Sequence, residues 1–106
     1  AWGYYQRAAK QNPENVRALL GLVELGYSMG RLAEVQQAIE AYLEMHPADL
    51  DFVYSLAGCY FAQGKLRETI DAVERITLFN PSHQRALELR DMVRAKMAHA
   101  ESHSVR

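Results

Sequence analysis

Three prolines, Pro13, Pro47 and Pro81, punctuate the sequence at intervals of 34 residues. Gly30 and Gly64 keep the same interval, as do Leu22 and Leu56, Leu32 and Leu66, Glu34 and Glu68, Ala38 and Ala72, and Glu40 and Glu74. Other positions keep only their apolar character, such as Leu19 with Val53 and Ile39 with Val73. One pair at a shared offset would carry little weight. A whole set marks a repeat protein, in which each unit buries its apolar face only by stacking on its neighbour.

Each period reads as two helices. From Val16 to Met29 the apolar residues Val16, Leu19, Leu20, Leu22, Val23 and Tyr27 fall at the three- and four-residue steps of a helix. Gly30 supplies the permissive φ of a helix terminus, and Arg31 lies in the turn. A second stripe follows at Leu32, Val35, Ile39, Tyr42 and Leu43 until Pro47, which cannot continue the ladder and moves His46 out of the α region. Asp49 is then placed to cap the next helix through its carboxylate. The second period repeats the scheme with Val53, Leu56, Ala57, Tyr60 and Phe61, then Gly64, then Leu66, Ile70, Val73 and Ile76, and finally Pro81. No segment alternates with period two over a useful length, so the fold class is all-α.

The rest of the composition narrows the function. At 106 residues the chain makes one domain, with a quarter of its residues charged and a net charge of −1. That balance argues against nucleic acid or an anionic membrane as the main partner. Phe52–Gly64, the longest uncharged stretch, is too short to cross a bilayer. The lone cysteine, Cys59, excludes a disulfide framework and any multi-cysteine zinc site, and leaves the compartment open.

On these residues the chain resembles the tetratricopeptide repeat family, whose antiparallel helical hairpins stack into a right-handed α-solenoid. In that family the first helix carries a large residue, then a Leu and a small residue, then a Tyr, before a Gly at the turn. The second helix offers small and aromatic residues, and a Pro closes the repeat. The closer match is 50–83, with Val53, Leu56, Ala57, Tyr60, Gly64 and Pro81 in place. Repeat 16–49 departs: Val23 stands for the small residue, Gly26 for the tyrosine, and Val35 and Tyr42 for small residues of the second helix.

The resemblance extends to both ends. Residues 1–15 read as the second helix of a repeat whose first helix would lie upstream, with Ala1, Tyr5 and Ala8 at family-like positions and Pro13 closing it. Residues 84–98 read as a capping helix. Ala86, Leu89, Val93 and Met97 are expected to pack back, while Arg90, Asp91 and Arg94 face water where a further helix would dock. Residues 99–106 are expected to form a frayed tail.

Little in the sequence suggests catalysis. His46 and His83 abut the inter-repeat turns. His99 and His103 are four apart, a spacing that can hold a transition metal, but they fall in the expected tail with only Glu101 nearby, and we read them as ordinary tail residues. Cys59 sits in an apolar run and is expected to pack as a small hydrophobe. No phosphate loop, HExxH helix or nucleophile elbow is present, and no catalytic residue, metal or cofactor is expected. Gly21 and Gly26 lie within a helix and read as points of close packing.

What remains is surface. The resemblance implies a concave groove lined by the first helices: Arg17, Leu20, Glu24 and Tyr27; then Asp51, Tyr54 and Phe61; then Arg85, Glu88 and Met92, with Lys96 beyond. Aromatic and apolar residues inside a charged rim are the material of binding hot spots. Tyr54 and Phe61 admit a second reading, as space-filling residues of a tightly curved superhelix. The family's clamp for a C-terminal carboxylate is absent, since Leu20, Glu24 and Ser55 occupy its places. The groove is therefore expected to suit an amphipathic or apolar segment of mixed charge. The expected function is a non-catalytic scaffold that binds a peptide or helix of a partner protein. The alternative is a structural or regulatory segment attached to an upstream catalytic domain. Trp2, Tyr4 and Tyr5, on a helix without its hairpin mate, add homodimerisation as a further expectation.

Overall fold

The computed structural model describes residues 1–104, with side chains described as far as Glu101. The helices are α1 (Trp2–Gln11), α2 (Val16–Met29), α3 (Leu32–Met45), α4 (Leu50–Ala62), α5 (Leu66–Phe79) and α6 (Gln84–Ser104), with no strand among the described residues. Two compact units result, Ala1–Phe52 and Val53 onward, with the division inside α4.

The repeat is visible in backbone geometry as well as in residue type. Among the described residues Gly30 and Gly64 are those with positive φ, at 73° and 76°. After each, a Schellman closure ends the helix: Arg31 N–H donates to the Gly26 carbonyl at 2.8 Å, and Lys65 N–H to that of Tyr60 at 2.9 Å. At the proline turns, Asn12, His46 and Asn80 each donate to the carbonyl four residues back and accept from the residue three further on. That next residue caps the following helix in all three turns. Asn15 Oδ1 accepts from Ala18 N–H at 3.0 Å, Asp49 Oδ1 from Phe52 N–H at 3.4 Å, and His83 Nδ1 from Ala86 N–H at 3.1 Å.

In the first unit, Ala18, Leu19 and Leu22 of α2 and Val35, Ile39, Tyr42 and Leu43 of α3 are buried. The departures from the family pattern compensate one another here. Val35 fills the space that a side chain at Gly26 would need, and the Trp2 ring lies against the same glycine. One turn earlier, Gly21 is covered by the Tyr5 ring. Trp2 and Tyr5 therefore face α2, and Tyr4 stays 65% exposed.

In the second unit the core is Val53, Leu56, Ala57 and Cys59 of α4, Thr69, Ala72, Val73 and Ile76 of α5, and Ala86, Leu89 and Val93 of α6. The buried hydroxyl of Thr69 donates to the Lys65 carbonyl at 2.7 Å, so it carries no unmet hydrogen bond. Asp91 and Arg94 face water. One boundary differs from expectation: α6 continues to Ser104 rather than ending at Ala98. Ala98, Ala100 and Glu101 are good helix formers, and no glycine or proline follows to stop the ladder.

Candidate functional site

The groove residues expected from the sequence all keep contact with solvent, but the two units present them differently. On α2, Arg17, Leu20, Glu24 and Tyr27 recur at three- and four-residue steps and share one face. Leu20 is 50% exposed and Tyr27 39%. Asp51, in the first turn of α4, is also exposed.

In the second unit Tyr54 and Phe61 of α4 are half-buried, and cations from α6 lie over their rings. The Arg85 guanidinium carbon sits 4.3 Å from the Tyr54 centroid, and the Lys96 ammonium 5.3 Å from that of Phe61. The His83 ring stacks near Tyr54, with centroids 6.1 Å apart and planes at 25°. A concavity of about 440 Å³ opens beside Phe61 and Lys96, lined also by Gly64, Leu66, Ala95 and His99. Met92 is 53% exposed on α6, and the exposed Glu88 accepts from Gln84 Nε2 at 3.2 Å. Gly58, four residues from Tyr54 and three from Phe61, adds no side chain between the two rings.

The histidines divide by role. His46 bonds Glu14 at 3.0 Å and stacks on Tyr42 at 4.8 Å, so it ties one proline turn to the preceding one. His83 is a helix cap. The side chain of His103 lies outside the described residues, and among those described no three His, Cys, Asp or Glu side chains gather as a metal site. Cys59 is buried, with Gln63 Nε2 at 3.6 Å from its sulfur.

Two features escaped the sequence reading. Tyr42 donates to Asp49 Oδ2 at 2.6 Å. That bond foremost, with burial and the charges of Asp49 and Glu14, pushes the phenol up to about 12. The spacing of seven across a proline turn gives no pairwise signal for it. The second feature is a cleft of about 360 Å³ in the first unit, between α1, α2 and α3. Its walls include Ala9, Leu19, Leu22, Ala38 and Ala41, and its polar residues Gln6, Lys10, Glu34 and Gln37. Trp2, whose indole N–H is buried without a partner, also lines it. The alanines on α1 and α3 were the available clue, since small residues there leave the space open.

Residues 1–49 and 27–93 match the family model of the tetratricopeptide repeat. The chain belongs to the tetratricopeptide repeat family. Among solved structures it is similar to that titled "Crystal structure of MamA", with a TM-score of 0.76 and 21% identity. The match covers 89% of this chain and 55% of the other, so the chain spans little more than half the length of that neighbour. At that identity the likeness concerns the fold, an all-α helical repeat. No curated protein matches. Tetratricopeptide repeats are scaffolds for protein–protein interaction, and no described helix is long and apolar enough to cross a membrane. For a repeat of this family, Gly26 in place of the usual tyrosine is the clearest departure, and Val35 with Trp2 accounts for it.

Proposed function

We propose that this chain is a non-catalytic scaffold for a peptide or helix of a partner protein, each unit offering its own face, α2 in the first and α4 with α6 in the second. The observation that carries this reading is the state of the aromatic and apolar residues there. Tyr54, Phe61, Tyr27, Leu20 and Met92 are all at least partly open to solvent, with charges of both signs around them. Such residues gain most when a partner removes them from water. Nucleic acid is not among the proposed partners, because a net charge of −1 gives no counterion-release drive.

The test separates docking from packing. Tyr54→Ala with Phe61→Ala in the full-length protein is expected to abolish partner capture in a pull-down, while helicity and melting temperature stay close to the parent. Loss of the folded state in the double variant would assign both rings to packing instead. Self-association is a second reading, favoured by the exposed Tyr4 on α1. Analytical ultracentrifugation of Tyr4→Ser against the parent checks it, and a monomer in both removes it.

A further inference from the structure

The two rings on α4 are not bare, and what covers them selects the partner. Arg85 and Lys96 lie over Tyr54 and Phe61, and among the described residues neither has a carboxylate within ion-pair distance. A molecule approaching this face therefore meets the cations before it meets the ring faces. The ring holds each cation through its quadrupole without neutralising it. A carboxylate that arrives from outside can pair with the cation while the ring keeps its contact from behind.

The geometry along α6 sets the spacing. Residues 85, 92 and 96 are seven and four apart, so they fall within one narrow stripe of the helix. Eleven residues at 1.5 Å rise put Arg85 and Lys96 about 16 Å apart along the axis. Met92 lies between them, half-exposed. Glu88 is the one carboxylate near this stripe on α6; it lies to the side of it and is engaged by Gln84. The two charged heads lie over rings seven residues apart on α4, about 10 Å along that axis, so they stand closer together than their own backbone positions on α6. An extended chain rises about 3.3 Å per residue and turns alternate side chains to opposite faces, so two acidic residues four positions apart, about 13 Å and on one face, span the two cations.

We propose that the α4–α6 face binds an internal acidic segment of a partner protein. Two carboxylates four residues apart pair with Arg85 and Lys96, and an apolar residue midway between them, on the same face, rests on Met92 and the edges of Tyr54 and Phe61. The proposal rests on the scaffold reading above and narrows it, replacing a mixed-charge segment by an acidic one on this face. It needs no chain terminus, because both cations stand at the ends of the stripe rather than converging on one point.

The probe is a synthetic pentapeptide, acetylated and amidated, with the sequence Asp-Ala-Leu-Ala-Asp, alongside its counterpart with Asn at both ends. Each is titrated into ¹⁵N-labelled protein at low salt while the amide resonances of α4 and α6 are followed. The Asp peptide is expected to bind about tenfold more tightly than the Asn peptide. Most of that preference is expected to vanish at high salt. Arg85→Gln and Lys96→Gln should each reduce it, and Arg85→Lys should retain most of it. Both residues are exposed, so these changes leave the fold intact. Equal binding of both peptides on α4 and α6 would overturn the acidic preference and leave the scaffold reading standing. A preference that survives both Gln substitutions would overturn the assignment to Arg85 and Lys96. Absence of shifts on α4 and α6 with either peptide would overturn the proposal outright, while the Tyr54 and Phe61 pull-down decides the scaffold reading separately.

Discussion

The stretches 16–49 and 50–83, one 34-residue period apart, share their turns, caps and leucines, yet distribute volume in opposite ways. Where the first has Gly26, the second has Tyr60; where the first has Val35 and Tyr42, the second has Thr69 and Ile76. Val35 and Trp2 fill the space over Gly26, so the hairpin of α2 and α3 closes without the aromatic its counterpart uses. The lesson is that the repeat conserves packed volume and backbone closure rather than residue type at each place. The same contrast reaches the surface, with Leu20 and Tyr27 open on α2 and aromatics under cations on α4.

The largest expected effect tests what the repeats share. Leu22 and Leu56 are equivalent by the 34-residue period and both are buried. Leu22→Ala and Leu56→Ala should each cost about 2–5 kcal/mol in chemical denaturation. A large cost at one and a negligible cost at the other would break the claim of a common framework.

The next effect sharpens what they do not share. Gly26→Ala places a methyl into Val35 and against Trp2, and should cost about 1–3 kcal/mol through overpacking. Adding Val35→Ala should recover part of that loss, so the double-variant cycle shows coupling. Strict additivity would mean that Val35 does not fill the glycine's space.

Much of this was legible in the sequence. The period, the helix pairs, the proline turns and the buried leucines all follow from spacing, because a solenoid repeats its backbone solution every unit. Gly26 was readable as a close-packing point, but its partner was not, since Trp2 and Val35 lie on different helices and follow no periodic rule. The residues expected to line a groove follow from the resemblance alone, and the cations over two of them had no signal in the sequence. Whether Arg85 reaches over Tyr54 depends on how α6 lies against α4, which residue type alone does not fix. The end of α6 was misplaced because low apolar content was read as fraying, although the alanines and Glu101 sustain a helix.

Smaller effects come from the turns. Tyr42, paired with Asp49, has Ile76 as its counterpart and so marks the first repeat alone. Tyr42→Phe should cost about 1 kcal/mol near neutral pH. An unfolded tyrosine ionises near 10, whereas Tyr42 in the fold is held up to about 12. The folded state thus keeps a proton that the unfolded chain releases. Its stabilising contribution is whole below about pH 10 and is lost as pH rises through about 12. Alkaline unfolding of Tyr42→Phe should show less of that decline than the parent, and identical curves would remove the role given to the Asp49 bond.

The smallest effect concerns the three caps, Asn15, Asp49 and His83, which do one task with three different acceptors. His83 accepts the Ala86 N–H through Nδ1, so the proton of the neutral ring resides on Nε2. Asn offers a side-chain oxygen as acceptor, as Asn15 does, and ranks among the best caps. His83→Ala should therefore cost about 1 kcal/mol, and His83→Asn should match or exceed the parent. Amide exchange at the start of α6 resolves the two, faster in His83→Ala and unchanged or slower in His83→Asn. Equal exchange in parent and His83→Ala would show that the α6 terminus is held by the burial of Ala86 and Leu89 rather than by its cap, and would set this turn apart from the one at Asn15.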